Sequence, residues 1–212
     1  MRISGVSSQP DASTLEDLET PALILDEGAL DRNLTRMRTH LATLGVPLRP
    51  HIKTAKCIEI IRRALEGQPP AVTVSTLKEA EYCLAHGIRD IVYAVGIAPV
   101  KLRHACDLIA HGASLTLTLD NAAAVAAVAQ SGTGAGVVVP ILIELDVDGH
   151  RSGIVPESEQ LLELGVLIAR TRGVELRGVL THAGESYQCR SIPALRQMAE
   201  RERVGAVRAA ER

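Results

Sequence analysis

The sequence has no phenylalanine and no tryptophan among its 212 residues. Its hydrophobic fraction of 46% therefore consists mainly of Ala, Val, Leu and Ile, which suit closely packed layers of strands and helices. The chain also has no excess of basic charge. Its formal net charge is −2, no run of Lys or Arg occurs, and no aromatic residues alternate with basic ones. Nucleic-acid-binding domains normally carry a basic patch, so we expect no nucleic-acid partner.

Signals for secretion and membrane insertion are missing as well. The N-terminal stretch is polar and acidic, which excludes a signal peptide, and the longest apolar run, GVVVPILIEL, is too short to span a bilayer. The cysteines are far apart and form no CxxC pair, which favours a reduced environment. We therefore expect a soluble cytoplasmic protein with no membrane partner. The cysteines are Cys57, Cys83, Cys106 and Cys189.

A repeating pattern follows a polar stretch over residues 1–20, which we predict to be a flexible lead. Residues 21–26 are predicted to form a strand and residues 27–45 a helix with an apolar face. From there a short apolar strand, a turn, an amphipathic helix and a glycine recur, so we predict one domain over residues 21–212. The recurring strands are predicted over 46–52, 71–75, 90–95, 114–119, 137–146 and 175–182.

Apolar strands that alternate with helices predict an α/β fold with parallel strands buried on both faces. The choice is between a doubly wound open sheet and a (β/α)8 barrel. A closed barrel needs eight units and typically about 250 residues, whereas six units are recognisable here. The sequence also ends inside a helical pattern with no terminating glycine or proline, which is typical of a chain cut short.

Polar side chains gather at the predicted ends of these strands. Arg49, His51 and Lys53 occupy alternate positions and so share one face of the first strand of the repeat. Later strand ends add Ser75, the acidic stretch from Glu144 to Asp148 and the THAGESY segment, residues 181–187. Because active sites of parallel α/β folds lie at this edge, the pattern predicts a pocket.

A lysine in such a pocket suits amine chemistry. A lysine at a strand end is usually a solvated surface residue, and His182 is as typical of a packed core as of a catalytic site. The convergence of strand ends favours the functional interpretation. Arg49 and His51 beside Lys53 would lower the pKa of its amine, which could then attack a carbonyl. We therefore predict a Schiff-base lysine that pairs with pyridoxal phosphate or a carbonyl substrate.

Four collinear segments carry a resemblance to a known family. LRPHIKTAK, VSTLKEAEYCLAHGIRDIVYAV, IELDVDGHRSG and VLTHAGESY together resemble the D-threonine aldolase and D-serine dehydratase family. The resemblance implies an alanine-racemase-like N-terminal (β/α) barrel of the TIM type that binds pyridoxal 5′-phosphate. It extends over nearly all of residues 18–212 and is closer to the D-threonine aldolases.

The resemblance also implies residue roles. Lys53 would form the Schiff base, Arg151 would hydrogen-bond the cofactor's phenolic oxygen, and His182 and Tyr187 would line its ring and phosphate. We add Ser75 to the cofactor-binding residues and His51, beside Lys53, to the catalytic ones.

The implied activity is that of a pyridoxal-phosphate-dependent lyase acting on small D-β-hydroxy-α-amino acids, most like D-threonine aldolase, which yields glycine and an aldehyde. The alternatives are a D-serine or D-hydroxyaspartate dehydratase of the same family and a non-catalytic pyridoxal-phosphate carrier. An inactive remnant serving as an interaction surface has no positive feature in the sequence.

Family members run on beyond this length. Their later segments complete the barrel, hold the cofactor phosphate and add a β-domain with a divalent-metal site, whose ligands we do not expect in this chain. The resemblance therefore favours a fragment of a longer protein, with exposed strand edges and little activity alone. It leaves a homodimer of the full-length form open.

Overall fold

The computed structural model describes residues 14–212. The chain divides into two compact units between Gly45 and Val46, and the first unit is described from residue 14. The predicted lead over residues 1–20 lies mainly outside the described residues, so its boundary and the domain predicted over 21–212 stay predictions. Within the described residues, no helix combines the length and the apolar character needed to cross a membrane.

The described part of the first unit contains a short 3-10 helix, Leu15–Asp17, and helix α1, Glu27–Leu44, as the sequence predicts. The Asp26 carboxylate caps α1 by accepting from the Ala29 amide, and Gly45 ends it in the left-handed region. None of its residues is buried. The strand predicted over residues 21–26 was wrong: a strand needs a hydrogen-bonded neighbour, and the described residues of this unit provide none.

The second unit alternates strands and helices. Its strands are β1 (Ala71–Val74), β2 (Asp90–Tyr93), β3 (Ser114–Leu119), β4 (Val139–Leu145) and β5 (Val174–Thr181). Its helices are α2 (Ile58–Ala64), α3 (Leu77–Ala85), α4 (Leu102–Ala110), α5 (Ala122–Ala135), α6 (Glu159–Arg170) and α7 (Ile192–Glu211). Short 3-10 helices lie at Pro99–Lys101 and Glu185–Gln188.

The five strands form one parallel sheet in the order β1-β2-β3-β4-β5. Crossovers between parallel strands are right-handed, so a strictly sequential order places successive helices on the same face of the sheet. A doubly wound sheet would instead reverse its strand order at one point. The topology is therefore that of the barrel type, as the family resemblance implies.

The strand predicted over residues 46–52 is reduced to one bridge between His51 and Thr73 of β1. Two backbone hydrogen bonds flank it, from the Ile52 amide to the Thr73 carbonyl and from the Thr73 amide to the Pro50 carbonyl. Pro47 and Pro50 have no amide hydrogen to extend the ladder. The segment still occupies the first of the six predicted strand positions, next to β1 and parallel to it.

The core lies against the helix-covered face of the sheet. The fully buried side chains on the strands include Val72, Ile91, Leu115 and Ile141. In β4 the apolar residues at 139, 141, 143 and 145 are buried, whereas Leu142 and Glu144 are only partly buried. This alternation assigns the two sets to opposite faces. The face carrying Glu144 is the one that borders the predicted site.

Candidate active site

A cavity of about 460 Å³ lies at the carboxyl ends of the strands. Five of the six predicted site residues line it: His51, Lys53, Ser75, Arg151 and His182. They come from the bridging segment and from the ends of β1, β4 and β5. The parallel arrangement therefore brings together side chains that are as much as 131 residues apart in the sequence, from His51 to His182.

Two residues from the sequence-based site lie elsewhere. Tyr187, in the 3-10 helix Glu185–Gln188, is 66% exposed and is not among the cavity-lining residues. Arg49 makes a two-pronged ion pair with Asp90 at the start of β2, with distances of 2.8 and 2.9 Å. The expectation that Arg49 stands beside Lys53 was wrong: Arg49 precedes the bridge at His51 and lies toward the amino ends of the strands, where it pairs with Asp90.

Hydrogen bonds connect both ring nitrogens of His51 to its surroundings. The backbone amide of Lys53 donates to Nδ1 at 3.2 Å, and Nε2 lies 3.0 Å from Ser75 Oγ. An amide can only donate, so Nδ1 accepts, and the ring proton lies on Nε2 and is donated to Ser75. Burial lowers the pKa of His51, and the charge of Lys53 lowers it further. His51 is thus held as a neutral ring that orients the backbone at Lys53.

Glu79 holds the backbone at Ser75, the hydrogen-bond partner of His51. It is only 7% exposed, and its Oε2 accepts from the amides of Ser75 at 2.7 Å and Thr76 at 3.2 Å. Its Oε1 lies 3.0 Å from Lys56 Nζ, three residues after Lys53. Burial raises the pKa of Glu79, but the amide hydrogen bonds and Lys56 outweigh burial and hold it below its usual value. Thr76 and Glu79 also form a capping box at the start of α3.

Arg151 and His182 both line the cavity, and the positive charge of Arg151 acts on the His182 ring. Burial lowers the pKa of His182, and the positive charges of Arg151 and Lys53 lower it further. Gly184 leaves room for the arginine: a Cβ atom there would lie 3.0 Å from both Cγ and Cδ of Arg151. The stem of Arg151 therefore packs directly on the backbone of the segment that follows β5.

Glu144, which the sequence pattern placed at this edge without a catalytic or binding role, lines the same cavity. Burial raises the pKa of Glu144 and nearby Asp120 raises it further, while a hydrogen bond from Ser152 and the charge of Arg151 oppose the rise. Ser152 Oγ donates to Glu144 Oε1 at 3.0 Å. The signal in the sequence was a single charge inside the apolar run VVVPILIEL.

The donor set fits pyridoxal phosphate. The cavity combines a primary amine, a guanidinium and two imidazoles with one carboxylate, which suits an anionic ligand that carries an aldehyde. Its volume falls in the range of about 300–1,000 Å³ typical of small-molecule sites. Of the four lysines in the sequence, Lys53 is the one that lines this cavity. Within residues 14–212 no three His, Cys, Asp or Glu side chains are grouped so as to hold a metal ion.

Comparisons with known proteins identify a matching family and similar chains. The alanine racemase N-terminal domain family matches residues 25–210. The chain is 44% identical to a D-threo-3-hydroxyaspartate dehydratase from Delftia sp. (strain HT23), over 93% of this chain and 52% of that one. The solved structure of the Delftia enzyme superposes with a TM-score of 0.88 over 92% of this chain and 51% of that one.

More distant relatives carry related names. A D-threonine aldolase from Arthrobacter sp. is 31% identical, over 89% of this chain and 50% of that protein. A D-serine dehydratase from Schizosaccharomyces pombe is 30% identical, over 85% of this chain and 46% of that protein. The chain thus spans about half the length of the curated relatives it matches.

Proposed function

The chain belongs to the alanine racemase N-terminal domain family, and from this premise we propose that it forms the pyridoxal-phosphate-binding part of a lyase that dehydrates D-3-hydroxy amino acids. The observation that carries the proposal is the single cavity in which Lys53, Arg151 and His182 meet. The substrate class is that of D-serine and D-threo-3-hydroxyaspartate. Both contain the α-amine, the α-hydrogen and the β-hydroxyl that dehydration requires.

The relatives favour dehydration over aldol cleavage. The sequence resemblance led us to expect a D-threonine aldolase, but the Delftia dehydratase is 44% identical, against 31% for the Arthrobacter aldolase. D-serine dehydratases from three further organisms also match this chain. We therefore put the dehydratase first and keep the aldolase as the second candidate, which the Arthrobacter enzyme and a D-threonine aldolase structure from Filomicrobium marinum support.

Three residues would hold the cofactor. Lys53 Nζ would bind its aldehyde carbon, and the Arg151 guanidinium would donate a hydrogen bond to its phenolic oxygen and balance the charge there. His182 would lie against it as a neutral ring, since its pKa is lowered by burial and by two nearby cations. Bound in this cavity, pyridoxal phosphate supplies an electron sink for negative charge at the α-carbon of the substrate.

Proton movement would then depend on the remaining groups. Dehydration removes the α-hydrogen and expels the β-hydroxyl, so a base and an acid are both needed. Lys53 Nζ and a ring nitrogen of His182 can each carry a proton at the cavity surface. His51 is less suited, because both of its ring nitrogens are engaged by the Lys53 amide and Ser75. Its role would be to orient Lys53.

Labelling of the lysines tests this assignment. The protein is incubated with pyridoxal phosphate, reduced with borohydride and mapped by peptide mass spectrometry. We expect the label on Lys53, abolished by Lys53→Ala and retained by Lys56→Ala. Lys56 is the matched control because it lies three residues away, is exposed and does not line the cavity. An even label over all four lysines would contradict the assignment.

Product analysis distinguishes the two lyase reactions from a carrier. D-threo-3-hydroxyaspartate and D-serine are offered to unreduced protein that has been incubated with pyridoxal phosphate, because borohydride reduction would leave Lys53 permanently joined to the cofactor. Ammonia and a 2-oxo acid support the dehydratase, whereas glycine and an aldehyde support the aldolase. A cofactor bound at Lys53 with neither product, in the full-length protein as well as in this chain, would leave the non-catalytic carrier as the better description.

A further inference from the structure

The carboxylate of Asp148 joins the loop after β4 to the segment after β5, and both of these contribute residues to the cavity. Its Oδ2 accepts hydrogen bonds from the backbone amides of Gly184 and Glu185, both at 2.7 Å. Its Oδ1 accepts from the amide of His150 at 3.0 Å. One side chain from the loop after β4 therefore satisfies two consecutive amides of the segment after β5. Hydrogen bonds from backbone amides to a carboxylate are among the stronger ones in proteins.

This clamp begins where the sheet ends. The last paired residues of β4 and β5 are Leu145 and Thr181, and Thr181 Oγ1 adds a hydrogen bond to the Leu145 carbonyl. Three residues beyond Leu145, Asp148 extends the connection between the two chain segments from strand pairing to side-chain bonding. The two segments therefore stay close past the edge of the sheet, at the level of the cavity.

Both clamped loops carry cavity residues. Arg151 follows Asp148 by three residues, and His182 precedes Gly184 by two. The clamp also brings the backbone of Gly184 against the stem of Arg151, where a Cβ atom would approach to 3.0 Å. Helix α7 holds the same segment from the other side, since Glu202 Oε1 accepts from the Ala183 amide at 3.2 Å.

We propose that Asp148 is a positioning residue of this site: its carboxylate fixes Arg151 and His182 in a common orientation around the cavity. The clamp is a property of the protein alone, whereas its effect on pyridoxal phosphate rests on the function proposed above. The two parts are tested by different measurements.

Three variants separate the clamp from local loop structure. Asp148→Ala removes all three hydrogen bonds, and Asp148→Asn keeps one oxygen that can accept from Gly184 and Glu185 while removing the charge. Asp146→Ala is the matched control. Asp146 lies in the same loop and its Oδ1 also accepts two amides, from Asp148 and Gly149, but both belong to its own loop.

Amide hydrogen exchange measures the clamp directly. We expect exchange at Gly184 and Glu185 to accelerate at least about tenfold in Asp148→Ala and to change less than about twofold in Asp146→Ala, since the latter leaves both amides bonded. Asp148→Asn should fall between them, and it keeps the test valid if the alanine variant does not fold. Exchange in Asp148→Asn equal to that in the unaltered protein would overturn the proposal, and so would the absence of acceleration in a folded Asp148→Ala.

The titration of His182 by NMR shows whether the clamp acts on the site. The charged groups that influence this ring are Arg151 and Lys53, which lower its pKa, and Glu202 and Asp148, which raise it. Loss of the Asp148 charge alone would lower the pKa, whereas release of the segment would expose His182, move Arg151 away and raise it. We expect a fall in Asp148→Asn and a rise in Asp148→Ala. A fall in both would mean that Asp148 acts only through its charge and would overturn a positioning role.

Pyridoxal phosphate binding gives the last measurement. We expect the dissociation constant for pyridoxal phosphate to rise about tenfold in Asp148→Ala and to stay within about twofold in Asp146→Ala. Unchanged binding in Asp148→Ala would refute the link to the cofactor. If the unaltered protein does not bind pyridoxal phosphate at all, the proposed function fails, while the exchange and titration results still decide whether Asp148 positions Arg151 and His182.

Discussion

The Nε2 atom of His51 lies 3.0 Å from the hydroxyl oxygen of Ser75. The backbone amide of Lys53 donates to the other ring nitrogen, Nδ1. The imidazole therefore connects Lys53 to Ser75, the residue that follows β1. The sequence predicted that His51 is catalytic on the ground that it is two residues from Lys53. In the structure, His51 contacts the backbone of Lys53 and not its side-chain amine, so its hydrogen bond orients the backbone from which Lys53 projects.

The tautomer of His51 can be measured. In the unaltered protein we expect the 15N shifts of the ring to show a proton on Nε2 and none on Nδ1. Ser75→Ala removes the acceptor of that proton, which we expect to reduce the free energy of unfolding by about 1 kcal/mol and to let the second tautomer appear. Ser152→Ala is the control, since it removes another hydroxyl of the cavity. A proton on Nδ1 of the unaltered protein would contradict the assignment.

Replacement of the buried Glu79 should destabilise the fold. Glu79→Ala leaves the amides of Ser75 and Thr76 without their acceptor, and each unsatisfied buried group costs about 1–3 kcal/mol. We expect a loss of at least about 2 kcal/mol in chemical denaturation. Lys56→Ala is the matched control, because its exposed ion pair with Glu79 contributes at most about 1 kcal/mol.

The same residue should give the stability a pH dependence. The pKa of Glu79 is held below its usual value of 4.5 in the folded state, so the folded protein binds fewer protons there than the unfolded chain. Its stabilising contribution is therefore complete above that usual value and is lost as the pH falls through the lowered one. Glu79→Gln should be less stable than the unaltered protein near about pH 7, and the difference should shrink on acidification. An unchanged difference would argue against the ionised form.

Glu144 should give the stability of the fold the opposite dependence on pH. Burial raises the pKa of Glu144 above its usual value of 4.5, so the folded protein keeps this proton after the unfolded chain has lost it. Stability should therefore decrease as the pH rises between the usual and the raised value. Glu144→Gln keeps an acceptor for Ser152 and removes the charge, so denaturation should show a gain in stability near about pH 7 and none near about pH 4. An equal gain in stability at both pH values would mean that Glu144→Gln acts through side-chain packing and not through the loss of the charge.

Much of the architecture could be predicted from the sequence. The apolar strands at 71–75, 90–95 and 114–119 have the length and side-chain types of buried parallel strands, and the structure places strands there within two residues. The segment over 46–52 was harder, because the pattern of side chains resembles a strand while Pro47 and Pro50 limit backbone pairing. Strand order and winding follow from tertiary packing and could not be read from periodicity.

The candidate site was predicted in part for a related reason. Residues immediately after strands, such as Ser75 and His182, reach the cavity because the sheet edge fixes their location. Tyr187 lies five residues further on, after a turn whose direction is set by contacts with Asp148 and α7, and it is exposed. Arg49 alternates with His51 and Lys53 as the sequence suggested, but it lies too far toward the amino ends of the strands to reach the cavity. Alternation reveals the face of a side chain, whereas the distance along the strand depends on where pairing begins.

Space beside Gly184 should matter more than its backbone freedom. Gly184 has φ −102° and ψ −24°, a conformation that alanine adopts without strain, but an added Cβ would lie 3.0 Å from Cγ and Cδ of Arg151. Gly184→Ala should therefore fold, shift Arg151 and weaken pyridoxal phosphate binding about three- to tenfold.

Gly134→Ala is the control: it lies in α5 with no atom within 4 Å of the added Cβ, and should raise the free energy of unfolding by about 0.5–1 kcal/mol. Isothermal titration with pyridoxal phosphate and thermal denaturation measure the two effects separately. If Gly184→Ala loses stability while its affinity for pyridoxal phosphate is unchanged, the packing of Arg151 on Gly184 serves the fold and has no part in orienting the guanidinium.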